Sequence, residues 1–183
     1  MKYAKTLPKF IDTSFLKDII NELVNDNWRQ FTDAEALQSF TDHYKIMVDD
    51  YEQLQVIKTA YPKFDNYLKI LKMGPNGTWP ISTTPNDNGG TLCIPIENSK
   101  LSISFFKDSA LVEGIEDYIG AQFGYWETNP WAQYHTGGTK DYTHLLNDTT
   151  IIDASVPKQF VNSSDELSLF VLWKYRGNFE DFE

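Results

Sequence analysis

The chain of 183 residues has one cysteine, three histidines and no long apolar run, and each shortage removes a class of protein. A single thiol, Cys93, allows no disulfide framework, and its setting in "TLCIPI" reads as a small buried hydrophobe. No segment approaches the roughly 20 apolar residues of a membrane span. The opening stretch "MKYAKTLPKFIDTSF" lacks the apolar core of a signal peptide, so a soluble cytoplasmic protein is expected. Basic residues are scarce too: 16 stand against 26 acidic ones, for a net charge of -10, and no Lys/Arg block interrupts that balance. Nucleic acid and anionic membrane are therefore disfavoured as partners. There is no Gly-x-Ser-x-Gly elbow, and "GPNGT" at 74 to 78 lacks the Gly-Lys-Ser/Thr of a phosphate loop.

What the chain does hold is material for a core: 41% hydrophobic and 15% aromatic residues, with 23% charged. That composition belongs to a packed globular domain, here one domain over 1–183. Apolar residues recur at helical spacing in "FLKDIINELVNDNW", through Phe15, Leu16, Ile19, Ile20, Leu23 and Val24, with Thr13 or Ser14 as the expected cap. A second helical region is expected across "AEALQSFTDHYKIMVDDYEQLQVIKTA", in two pieces ended by Pro62. Acidic pairs such as Asp49 and Asp50 read as a solvated helix face. The first third is thus expected to be α.

From Tyr67 the period changes. "YLKILKMG", "GTLCIPIEN", "KLSISFFKD", "YTHLL", "TTIIDAS", "KQFVNSS" and "LSLFVLWKY" are short, rich in β-branched and aromatic residues, and separated by turn-forming clusters. Strands at this spacing predict a small barrel or jelly roll. Between them, the aromatic insert 118–134 carries Trp126, Trp131 and Tyr134, which read as partner-contact residues or as core.

At this point the β half resembles the 2-oxoglutarate and Fe(II)-dependent oxygenases, in particular the small aspartyl/asparaginyl-hydroxylase-like proteins of phages and marine bacteria. Three stretches carry the likeness: "LKMGPNGTWPISTTPNDNGGTLCIPIEN", "LSISFF" and "TTIIDASVPKQFVNSSDELSLFVLWKY". Pro80, Asn98, Pro157, Val161, Asn162 and Trp173 match its framework. The resemblance implies an α+β fold with a helical layer over 1–65, a double-stranded β-helix over 66–176 and a tail over 177–183.

It also implies where chemistry should sit, and there the chain departs. The family's first metal-binding His falls on Ser82, its Asp on Thr84, its second His on Lys158, and the Arg that holds 2-oxoglutarate on Ser168. Residues i and i+2 of a strand face the same way, so Ser82 and Thr84 would share the cavity side. Hydroxyls are weak ligands beside imidazole and carboxylate. An ammonium ~4 Å from a cation is opposed by about 4 kcal/mol per unit of metal charge at an effective dielectric of about 20. Serine cannot replace the planar fork of arginine on a carboxylate.

The expectation is therefore a non-catalytic oxygenase-fold protein without cofactor. It would be a binding or structural module with a protein partner or with itself, in the host cytoplasm or, if phage-encoded, in a virion. The alternative is a hydroxylase whose ligands lie elsewhere, or another activity centred on Lys158. An amine facing a barrel cavity can form a Schiff base, act as a base or hold an anion, or else simply reach solvent or a carboxylate. One further constellation, His135, Asp141 and His144 in "YHTGGTKDYTH", could supply two imidazoles and a carboxylate, although ordinary hydrogen-bonded histidines account for it as well. His43 falls on the expected helix, at its surface or at the core's edge.

Overall fold

A computed structural model describes residues 3–32, 44–73, 75–76, 82–83, 87–96, 100–106, 110–111, 133–136, 140–166 and 168–182. Side chains are described for these residues except 23–32, 44, 72, 82–83, 110–111 and 133–136.

Twelve strands among the described residues form two antiparallel six-stranded sheets. In chain order they are β1 (Ala4–Thr6), β2 (Tyr44–Met47), β3 (Tyr67–Met73), β4 (Ser82–Thr83), β5 (Gly90–Pro95), β6 (Leu101–Phe106), β7 (Ala110–Leu111), β8 (Gln133–Thr136), β9 (Lys140–Leu145), β10 (Thr150–Asp153), β11 (Lys158–Asn162) and β12 (Ser168–Tyr175). The first sheet runs β1-β10-β5-β12-β3-β2 and the second β7-β8-β4-β11-β6-β9. From β3 onward the chain changes sheet at each step except between β6 and β9, a stretch that stays within the second sheet. The inner four strands of the first sheet are β3, β12, β5 and β10, and those of the second are β8, β4, β11 and β6, with β9 at its edge. That alternation is a ribbon of antiparallel strands wound into a double-stranded β-helix, a closed form of the jelly roll.

All seven expected strand segments are strands. The first third differs from expectation. Helix α1 (Thr13–Thr32) is present, but its cap is Asp12, whose Oδ1 accepts from the Ser14 amide at 2.9 Å and the Ser14 hydroxyl at 2.6 Å. The second expected helical region contains β2, a 3-10 turn over Val48–Asp50 and helix α2 (Glu52–Ala60); residues 33–43 lie outside the described residues. Tyr44 to Met47 fail as a helix because they pair with Ile70 to Tyr67 of β3, a contact distant in sequence that overrides local propensity.

Period-2 alternation divides the core in two. Val171, Trp173 and Tyr175 of β12 belong to one buried cluster with Leu16 and Ile20 of α1, Leu54 of α2, and Phe179 and Phe182 near the C-terminus. Phe170 of the same strand turns the other way, into a cluster between the sheets with Leu71, Met73, Cys93, Ile103, Phe105, Ile152 and Phe160. Burial pushes the Cys93 thiol well up, leaving it an inert part of that core. The strand ends are pinned by Trp173, whose Nε1 donates to the Asp65 carbonyl at 2.8 Å, and by Arg176, which grips the Asp65 carboxylate at 2.6 and 3.1 Å.

Candidate functional site

Strand β11 carries the position that matters most. Lys158, Phe160 and Asn162 are its buried residues and alternate with the partly exposed Gln159 and Val161, so Lys158 points between the sheets. On one side Lys158 is in register with Phe105 of β6, and on the other with Ser82 of β4. The structure therefore brings two of the four candidate pocket positions side by side. Ser82 is also in register with Tyr134 of β8. Thr84, Trp126 and Trp131 lie outside the described residues.

The Lys158 side chain is 9% exposed and folds back on the β10–β11 connection, where Nζ donates to the Val156 carbonyl at 3.0 Å and the Ala154 carbonyl at 3.3 Å. Among the described residues it reaches no carboxylate, and it is turned away from open solvent. Burial and the nearby Lys174 cation pull its pKa down to about 8, against the opposing charges of Asp153 and Asp87. Both acids are engaged elsewhere. Asp153 Oδ1 accepts from the Ser155 amide at 2.9 Å and its hydroxyl at 2.7 Å. Asp87 forms a salt bridge with Lys174 through Oδ2 and accepts the Gly89 amide at 2.8 Å through Oδ1. Burial works against ionisation of Asp87, but the Lys174 and Gly89 hydrogen bonds and the charges of Lys174 and Arg176 prevail and hold its carboxyl low. Gly89 is needed for this turn: a Cβ there would stand 2.2 Å from the Tyr175 carbonyl oxygen.

Ser168 opens β12 at the other end of the interior. It is fully buried, in register with Met73, and its Oγ has no hydrogen-bond partner among the described residues. Asn162, the last residue of β11, donates to the Met73 carbonyl at 3.1 Å and so marks the same level. Lys158 and Ser168 thus occupy opposite ends, with Phe160 and Phe170 stacked at 5.6 Å between them. Asn162 also donates to the Glu166 carbonyl and accepts the Ser164 amide, locking the turn into β12.

His144 and Asp141 do not converge. Three residues apart on β9, with a register shift at Asp141 between them, they have different surroundings: Asp141 is exposed and accepts the Tyr3 hydroxyl at 2.8 Å, while His144 is buried. His144 Nδ1 lies 3.0 Å from the Tyr142 hydroxyl and Nε2 lies 3.4 Å from Thr150 Oγ1. The Thr150 hydroxyl spends its proton on the Asp148 carbonyl at 2.9 Å, so its oxygen must accept and Nε2 must carry the imidazole hydrogen. Tyr142 then donates to Nδ1. Desolvation lowers the His144 pKa from its ordinary 6.5. His135 lies on β8, in register with Leu111, and His43 is outside the described residues.

Do these residues fit ferrous iron and 2-oxoglutarate? They do not. The second-His position holds a buried ammonium tied to two carbonyls, and the arginine position holds a hydroxyl enclosed by apolar side chains. Among the described residues no three His, Cys, Asp or Glu side chains are grouped to hold a metal ion. Sequence reasoning passed over Asp87 and Lys174. Lys174 was within reach, since it keeps the even phase of Phe170 and Leu172 on a strand that places those residues in the interior.

No family model and no curated protein matches the chain. Among solved structures, an oxalate oxidase in complex with the substrate analogue glycolate is 10% identical, covering 72% of this chain and 49% of that one at a TM-score of 0.37. Oxalate decarboxylase from Bacillus subtilis is 10% identical over 79% of this chain and 29% of that one, at 0.38. A protein with a double-stranded β-helix domain from Klebsiella pneumoniae is 15% identical over 61% and 68%, at 0.29. The chain spans half or less of the oxalate enzymes' own length. Likeness at this level carries no argument about activity, and the fold assignment rests on the strand order itself.

Proposed function

We propose that this chain is a non-catalytic double-stranded β-helix protein, used as a binding or structural module toward a protein partner or further copies of itself. One observation carries the reading: a buried lysine ammonium, bonded to the Ala154 and Val156 carbonyls, stands beside Ser82, where the resemblance calls for two imidazoles. The stacked Phe160–Phe170 pair supports it, because it fills the interior between that position and Ser168. By analogy with the phage proteins that the sequence resembles, the module is a virion component or binds a host or viral protein. The insert 118–134, with Trp126 and Trp131 as anchors, is its contact surface, since buried aromatics dominate interface energetics.

The test is to incubate the purified protein with Fe(II), 2-oxoglutarate and oxygen. No succinate and no stoichiometric iron are expected; either one overturns the reading. The contact surface is tested separately by replacing Trp126 and Trp131 with Ala. Unchanged self-assembly and unchanged co-purification of partners would remove it.

A further inference from the structure

Among the described residues Lys158 is a buried cation that lacks an anion. Its ammonium has three N–H donors, and two of them meet carbonyl oxygens at 3.0 and 3.3 Å. Among the described residues no carboxylate stands within salt-bridge distance of it. Of the two acids whose charge it feels, Asp87 has both oxygens bonded, to Gly89 and Lys174, and Asp153 turns Oδ1 to Ser155; neither forms a salt bridge with Lys158. Carbonyl dipoles alone compensate a buried charge poorly, and buried charges in proteins are ordinarily paired. The surrounding groups do not close that account: a second ammonium, Lys174, approaches from β12, and a phenyl ring, Phe105, is in register on β6.

We infer that Lys158 anchors a small monocarboxylate, whose oxygen takes the third N–H of the buried ammonium at the Ser82 end of the interior. The inference rests on the metal-free reading above, because the lysine serves here as the site's own cation. Carboxylate is favoured over a larger anion by the geometry. Among the described residues one donor remains and one charge needs cancelling, and the backbone position of Lys158 lies beside Phe105 on β6 and two residues from Phe160, both in the apolar inter-sheet cluster, which suits a short alkyl tail. No bond forms or breaks.

The experiment uses the full chain in chelator, with sodium acetate titrated against sodium chloride at equal ionic strength. Binding to the folded state raises Tm by mass action, by about 3–5 °C at roughly ten times Kd. The rise should vanish in Lys158→Met, persist in Lys158→Arg, and persist in the surface variant Lys63→Met. Should the lysine variants not fold, the wild-type chain answers on its own. Acetate should slow acylation of Lys158 by an N-hydroxysuccinimide ester at least threefold, read by peptide mass spectrometry, while Lys5 and Lys63 react unchanged. An equal acetate response in Lys158→Met, or no protection of Lys158, overturns the inference and leaves the metal-free reading intact. A response that appears only when Fe(II) replaces the chelator would instead sink the metal-free reading itself. An isolated glutamate-bearing peptide that protects Lys158 where acetate does not would show that a protein side chain, not a free acid, is the ligand, and would overturn the small-molecule assignment.

Discussion

Phe160 and Phe170 stack with ring centroids 5.6 Å apart and planes 16° from parallel, joining the two sheets between Lys158 and Ser168. Along β11 the step from Lys158 to Asn162, which marks the level of Ser168, is about 13 Å. A cosubstrate reaching from one end to the other would have to displace this pair. Phe170 is fully buried, so Phe170→Ala should cost about 3–5 kcal/mol in denaturant unfolding, through lost transfer energy and the cavity left behind. A double-mutant cycle with Phe160→Ala should show a coupling of about 0.5–1.5 kcal/mol. A loss under 1 kcal/mol for Phe170→Ala would mean that the interior is not filled as described.

Ser168 yields a prediction of opposite sign. A hydroxyl buried without a partner forfeits the hydrogen bond it had in water, which typically costs about 1–3 kcal/mol. Ser168→Ala removes that group with little change of volume and should leave stability unchanged or raise it by up to about 1 kcal/mol. Ser168→Arg, which installs the arginine of the oxygenases that the sequence resembles, should destabilise severely by burying an unpaired guanidinium beside Met73 and Phe170. A Ser168→Arg chain as stable as wild type would show that space and a counter-charge exist there after all.

How much of this could be read from residues alone follows from the range of the interactions involved. The strands from β3 onward were legible because their period-2 pattern is local: Leu101, Ile103 and Phe105 do face the inter-sheet cluster. Even so, Ser102, Ser104 and Phe106, on the other face of β6, are buried as well, which alternation does not foretell. β1, β2, β7 and β8 were missed, since each is a strand only by virtue of a partner outside its own segment, and the two-residue β4 was placed by resemblance alone. The placement of Ser82 and Lys158 came from resemblance, and their register is a fact of the sheet. That Lys158 would turn back onto Ala154 and Val156 was not readable at all, because it depends on the path of the β10–β11 connection.

Gly89 should tolerate no side chain. Its missing Cβ would meet a backbone oxygen, that of Tyr175, at 2.2 Å, and backbone cannot swing aside as a flexible side chain can. Gly89→Ala should destabilise by about 2 kcal/mol or more and loosen the Asp87–Lys174 salt bridge that shares the turn. Thermal unfolding checks the first effect. Amide exchange of Gly90 and Thr91, faster in the variant, checks the second.

The His144 chain predicts a weakening on the acid side of neutrality. With its pKa lowered by desolvation, the folded protein resists the proton that the unfolded chain accepts near the ordinary 6.5. Stability is therefore fully present above that pH and is lost as pH falls through it. Protonation would also force Nδ1 to donate, reversing the Tyr142 hydroxyl. Denaturant midpoints measured between pH 7 and 5 should fall in wild type and stay flatter in His144→Phe. Parallel curves for the two proteins would exclude His144 as the source.

Lys158 predicts the reverse trend on the alkaline side. Its folded pKa of about 8 lies below the ordinary 10.5, so between those values the unfolded chain binds the proton that the folded chain has released. Stability then rises with pH across this window, by about 1.5 kcal/mol between pH 8 and 9.5. Tyr175 does not mask the effect. Burial and its hydrogen bond to Asp181 push its pKa up to about 12, so its own contribution is lost only as pH climbs past the ordinary 10.0 of the unfolded chain. Unfolding free energies at pH 8 and 9.5 should therefore diverge in wild type and coincide in Lys158→Met. Saturating acetate should suppress the rise in wild type too, because a bound carboxylate keeps the ammonium charged. A wild-type protein whose stability is flat or falling from pH 8 to 9.5 in acetate-free buffer would mean that the Lys158 ammonium is already neutralised, and the carboxylate site would lose its physical basis.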